Sequence, residues 1–191
     1  MADQGIREGR KLVIVPRMYT EEELILATGK SIPERVKDEI KGFWANLEEQ
    51  LSRLGRIDKV YRDMITAEGE EGVRQLSAMD PCNYGVVKPL LEGGAKLMAT
   101  EDPLLVKEAE AWVGAMAWGS PSALELFRDN LKDRNRYIAE RINETLRPGE
   151  VGLLFMEPSR ELQLPEGLEV VRIESGSLDL LKALLGGKKV E

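Results

Sequence analysis

Six residues near the start of the chain, Lys11–Pro16 (KLVIVP), restrict the fold more than any other stretch. The apolar run is too short for a helix, is rich in β-branched side chains and lacks polar residues at alternate positions, so it reads as a strand buried on both faces. Such strands belong to parallel sheets, whose neighbours are joined by crossovers that are usually helices. The rest of the chain alternates accordingly. After Ser31–Glu34 (SIPE), which has capping-box spacing, Val36, Ile40, Phe43, Trp44, Leu47, Leu51 and Leu54 recur at helical period up to Gly55. Ile57–Tyr61 predicts a second strand, Glu70–Met79 a helix broken by Asp80–Asn83, Val86–Leu91 a short helix stopped at Gly93 and Gly94, and Ala95–Ala99 a third strand. Asp102 before Pro103 opens a further helix, and Ser120 before Pro121 opens another that carries Leu124, Phe127, Leu131, Ile138 and Ile142 toward Leu146. Val151–Met156 and Leu168–Ile173 complete five strands, and Leu178–Leu185 predicts a terminal helix. The expected fold is a three-layer α/β sandwich with a mostly parallel sheet of about five strands flanked by helices.

At 191 residues the chain suits one hydrophobic core, so residues 11–191 are expected to form a single domain behind a flexible leader, residues 1–10. With 42% hydrophobic and 32% charged residues, no bilayer-length apolar run and no secretory signal, the expectation is a cytoplasmic protein without a membrane partner. A formal charge of −7, with basic residues dispersed among acidic ones, argues against nucleic acid. The lone Cys82 has no partner for a disulfide or a thiolate metal site and is expected to be a packing residue. Histidine is absent, which removes Ser-His-Asp and Cys-His catalysis and histidine-ligated zinc. Gly69 and Gly72, Gly93 and Gly94, and Gly186 and Gly187 lack the strand–glycine–helix signature of a nucleotide site.

Open α/β sheets bind ligands beyond the carboxyl ends of their strands, and the residues that follow each strand here are polar. Arg17, Tyr19, Thr20 and Glu21–Glu23 follow the first strand, Arg62 and Asp63 the second, Thr100, Glu101 and Asp102 the third, and Glu157 and Arg160 the fourth. Arg17, Tyr19, Glu22, Asp63, Glu101, Asp102, Arg136 and Glu157 are therefore the candidate ligand-binding residues. Arg17 or Arg136 would hold an anion, and the carboxylates would supply oxygen ligands to a divalent ion such as magnesium or manganese. Part of this pattern has a purely structural explanation, because Thr20–Glu23 fits a capping box and Asp102 a helix start. In the string Asp133–Ile142 (DRNRYIAERI), Arg134 and Arg141 lie a heptad apart and Arg136 on another face, so at least one arginine is expected to reach the sheet edge.

That string, followed by Leu146–Glu150 (LRPGE) and Val151–Met156 (VGLLFM), resembles the late part of the TraB/pheromone-shutdown proteins in the erythromycin esterase/ChaN-like group. Val13–Pro16 with Tyr19, Thr20 and Glu21 resembles their early strand and loop. The family's histidines have no counterpart, since Tyr19 stands in the early loop and Glu157–Arg160 (EPSR) follows the late strand. The resemblance thus implies a degenerate, hydrolase-like protein that keeps the fold and a binding cleft. The alternative is a non-catalytic homo-oligomeric module. Ala109–Trp118 (AEAWVGAMAW) combines small residues that permit close helix approach with Trp112 and Trp118 as anchors for a homodimer.

Overall fold

A computed structural model describes residues 9–173. The helix expected over Leu178–Leu185 lies outside the described residues. Strands β1 (Arg10–Pro16), β2 (Lys59–Arg62), β3 (Lys96–Leu97), β4 (Val151–Met156) and β5 (Leu168–Arg172) form one all-parallel sheet in the order β3-β2-β4-β1-β5. Helices α1 (Glu21–Thr28), α2 (Glu34–Leu54), α3 (Gly69–Met79), α4 (Pro81–Glu92), α5 (Pro103–Ala117) and α6 (Ala123–Thr145) connect the strands. The α/β sandwich expected from the alternation is what the chain forms.

Strand alternation divides the interior into two cores. Val13, Val15, Val60, Leu153 and Phe155 face α1–α4, where Leu24, Val36, Phe43, Leu47, Leu76 and Val87 meet them. Leu12, Ile14, Tyr61, Leu154 and Met156 face the other way onto Ile138, Ile142 and Leu146. Gly152 lets this second layer close: a Cβ there would stand 3.1 Å from both Leu12 Cδ1 and Tyr61 Cε2 and 3.3 Å from Leu146 Cδ1. The chain moves outward from β1 through β2 to β3 with its helices on the first face. It then turns back to β4 and on to β5 with α6, Leu162 and Leu164 on the second. A reversal of direction with crossovers of one hand demands that change of face. Strand β4 therefore sits between β1 and β2, and its outgoing chain leaves the sheet on the side opposite to theirs.

Several local expectations differ from the fold. The Ser31 capping box does not form: α2 starts at Glu34, with Pro33 at its N-cap and no side-chain cap. The α4 helix is longer than Val86–Leu91, because Asp80 both ends α3 and caps the next helix, accepting from the Asn83 N–H at 3.0 Å, with Pro81 in the first turn. Cys82 is exposed in that first turn instead of packing in the core. Burial, followed by the neighbouring Asp80, Glu22 and Glu21 carboxylates, pushes its thiol pKa up, the opposite of activation. No helix among the described residues is long and apolar enough to cross a membrane.

Candidate functional site at the carboxyl edge of the sheet

The strand ends converge on a charged base. Glu101, in the loop after β3, is 1% exposed. Its Oε1 accepts from Arg134 Nη2 at 2.9 Å, Arg160 Nη1 at 2.7 Å and the Met64 N–H at 2.9 Å, and its Oε2 accepts from Arg134 Nε. Burial raises the cost of its charge, but the hydrogen bonds from Arg134 and Arg160 outweigh that and hold its pKa below the usual glutamate value. Arg62, at the end of β2, donates Nη1 to the Asp63 carbonyl at 2.7 Å and to Asp63 Oδ1, and Nη2 to Asp80 Oδ2 at 3.3 Å. Asp63 Oδ2 accepts from the Glu157 N–H at 2.9 Å and lies 3.8 Å from Arg160 Nη1. Arg62, Arg134 and Arg160 thus face Asp63, Asp80 and Glu101, a balanced set of buried charges. Isolated charges in this interior would cost several kcal/mol each, so the mutual pairing is a condition of burial.

The loop between β2 and α3 is held in an uncommon shape around this base. Met64 has φ 68°, the left-handed region that side chains other than glycine seldom occupy. Its N–H is fixed by Glu101 and its carbonyl by Gln75 Nε2 at 3.1 Å. Thr100 and Glu101 both donate their N–H groups to the Ile65 carbonyl, at 2.8 and 3.0 Å. Strain of this kind, about 1–3 kcal/mol, persists where the surroundings over-determine it and clusters at functional sites.

Above the base sits a looser rim. The Thr20–Glu23 capping box forms as expected and places Glu23 where Arg17 Nη1 donates to its Oε1 at 2.6 Å. Arg17 Nη2 stands 3.6 Å from Glu157 Oε2, and the Tyr19 hydroxyl donates to Glu157 at 3.3 Å. The Arg17 guanidinium lies 5.1 Å from the Tyr19 ring centre. Burial disfavours the Arg17 cation, yet Glu23, Asp63 and Glu157 together raise its pKa. Burial and the Glu157 charge push the Tyr19 phenol up as well. The paired cations and carboxylates of the rim are partly exposed, and the two contacts to Glu157 are long.

Of the eight candidate residues, the fold brings Arg17, Tyr19, Asp63, Glu101 and Glu157 together. Glu22 is exposed on α1. Asp102 is engaged as the N-cap of α5, accepting from the Leu104 and Leu105 N–H groups. Arg136 pairs with Asp133 at 2.8 Å and lines a separate cavity of about 740 Å³ between α6 and the chain around Leu162. Arg134 and Arg141 are the arginines of that helix which reach the sheet edge, Arg134 at Glu101 and Arg141 at Glu68 and the Ala99 carbonyl. The candidates named from the sequence omit Arg62, Asp80, Arg134 and Arg160. Strand-end position does point to Arg62 and Arg160, which follow the second and fourth strands in the sequence, but not to Asp80 or Arg134.

The carboxylates fit a metal poorly, because arginines and N–H groups already take their oxygens. Among the described residues no three Asp, Glu or Cys side chains converge as a metal-holding group. What the base does present is unsatisfied hydrogen-bonding capacity: Arg160 Nη2, Arg62 Nε and Asn83 Oδ1 are buried side-chain atoms without a partner. No protein-family model, no curated protein and no solved structure matches the chain.

Proposed function

We propose that this chain binds a small anionic metabolite, through its carboxylate or phosphate oxygens, at the carboxyl edge of β1, β2 and β4. The observation that carries the reading is Arg160, a buried cation whose Nη2 donor has no partner, near a Glu157 carboxylate that Arg17 and Tyr19 hold only through long contacts. A buried charged donor left unpaired is costly, and an oxyanion entering beside Glu157 would satisfy it. The position is the one α/β sheets use: β4 lies between two strands whose outgoing chains leave on the other face, the reversal at which such sheets bind ligands. The resemblance to a hydrolase-like group permits a retained binding cleft. Arginines facing the ligand, with carboxylates behind them, favour an anion over magnesium or manganese.

Thermal unfolding with phosphate, citrate and other small carboxylic acids tests this, with magnesium and manganese chloride as controls. A saturating ligand raises the midpoint by mass action, and at a hundredfold excess over Kd the gain for a chain of this size is about 5–10 °C. Arg17→Gln, at the rim, is expected to fold normally and lose most of the shift. Anions that leave the midpoint unmoved, or an Arg17→Gln protein that responds like wild type, would sink the proposal. A shift with the metal salts alone would assign the edge to its carboxylates instead.

A further inference from the structure

The α5–α6 hairpin contributes to neither core up to Ile138: no residue of 103–137 belongs to either hydrophobic cluster. Helix α5 rests on α6, with Asn130 Nδ2 donating to the Leu105 carbonyl at 3.0 Å and to Glu108 Oε2 at 2.9 Å, and its buried residues are Val106 and Ala109. Its opposite face is open. Among the described residues, five of the eight exposed large hydrophobics lie in this hairpin: Leu104, Val113, Trp118, Leu124 and Leu126. Leu104 is 73% exposed and Trp118 92%. Concentrated apolar exposure of this kind marks an interaction surface.

The order of residues on the open face identifies the occupant. Lys107, Ala111, Gly114 and Trp118 follow one another at intervals of four, three and four residues, which places all four along one exposed stripe of the helix. The interval reads the same in both directions. A second α5 laid antiparallel across a two-fold axis therefore sets Ala111 against Gly114 twice and Lys107 against Trp118 twice. The small central pairs allow the backbones to approach closely. The end pairs place an ammonium group on an indole face, an electrostatically complementary contact. Lys107 has no ion pair within its own protomer among the described residues, so its charge is free to serve this contact. Leu104 flanks the same ends and extends the apolar seat for the partner's Trp118. Trp112 is half-buried and lies off this stripe.

We infer that the chain forms a symmetric homodimer through antiparallel packing of α5 on α5. A partner of other chemistry would need no stripe that complements itself on reversal. An anionic membrane is disfavoured by the exposed charges of α5, one lysine against Glu108 and Glu110.

Sedimentation velocity of the full chain, reduced to keep Cys82 from cross-linking, tests the inference together with vesicle flotation. Wild type is expected to sediment as a dimer at micromolar concentration, and Trp118→Ala to dissociate at least about tenfold more readily, as a lost interface anchor would require. Gly114→Leu is the sharper variant. A Cβ at that position meets no atom within 4 Å in the protomer, so the substitution preserves the fold while holding the two helices apart. It is expected to give a monomer whose unfolding midpoint is no lower than that of dissociated wild type. Wild type that stays monomeric up to its solubility limit overturns the inference, whether or not it floats with vesicles. So does a dimer that Gly114→Leu leaves intact.

Discussion

Glu101 is the residue on which the buried charges depend. Its carboxylate faces Arg134 and Arg160 and also fixes the strained Met64. Glu101→Gln keeps the shape and removes the charge, leaving two buried guanidinium groups short of a counter-ion, at an expected cost of about 3–5 kcal/mol in urea unfolding. The pH dependence follows from the same contacts. Because the folded pKa is depressed, the stabilisation is complete above the ordinary glutamate value of about 4.3 and is lost as pH falls from there through the folded pKa. Wild type should therefore lose more stability than Glu101→Gln across that acid window, and parallel curves would refute the assignment. The sequence marks Glu101 clearly, as a polar residue directly after a strand. It leaves the choice among Arg134, Arg136 and Arg141 open, because a helical period groups residues on a face without saying which face meets the sheet. Only the placement of Ile138 and Ile142 in the second core fixes that, and with it the direction of Arg134.

At the scale of elements, glycines separate what the chain needs from what it tolerates. Gly72, in α3, has a Cβ position 2.3 Å from the Ala67 carbonyl oxygen, a backbone atom of the loop after β2. Gly42, in α2, is exposed, with no atom within 4 Å of its Cβ position. Gly72→Ala should destabilise by about 1–3 kcal/mol through overpacking. Gly42→Ala should stabilise by about 0.8–1 kcal/mol through helix propensity. Equal urea midpoints for the two variants would contradict this account. Strand β4 and the start of α5 were readable residue by residue, since an unbroken apolar run between charged ends and an Asp-Pro pair each act locally. The Ser31 box was misleading because Pro33 already begins the turn, placing Ser31 outside the helix. The short β3 was legible only approximately: two residues pair with β2, and a pairing that brief is set by its neighbour more than by its own side chains.

For the whole molecule, core burial is unequal between the hairpin and the sheet, which meet at the candidate site. Strands β1 and β4 pair along their length between two cores, whereas residues 103–137 lie outside both. The hairpin is tied to the sheet edge by Arg134 on Glu101 and, further along α6, by Arg141 Nη2 on Glu68 at 2.9 Å. Local opening free energies follow burial, so amides of α5 and the first half of α6 should exchange with deuterium well before those of β1 and β4. Measuring the Gly114→Leu protein removes protection that self-association would add. Adding Glu101→Gln to it should speed exchange in residues 103–137, because the substitution cuts the tie at the hairpin's base, and in the strands through the lost global stability, with the hairpin still exchanging first. Uniform protection across hairpin and strands would mean that the molecule opens as one unit. A hairpin that exchanges first, and faster still without Glu101, would make the carboxyl edge the joint on which the hairpin opens.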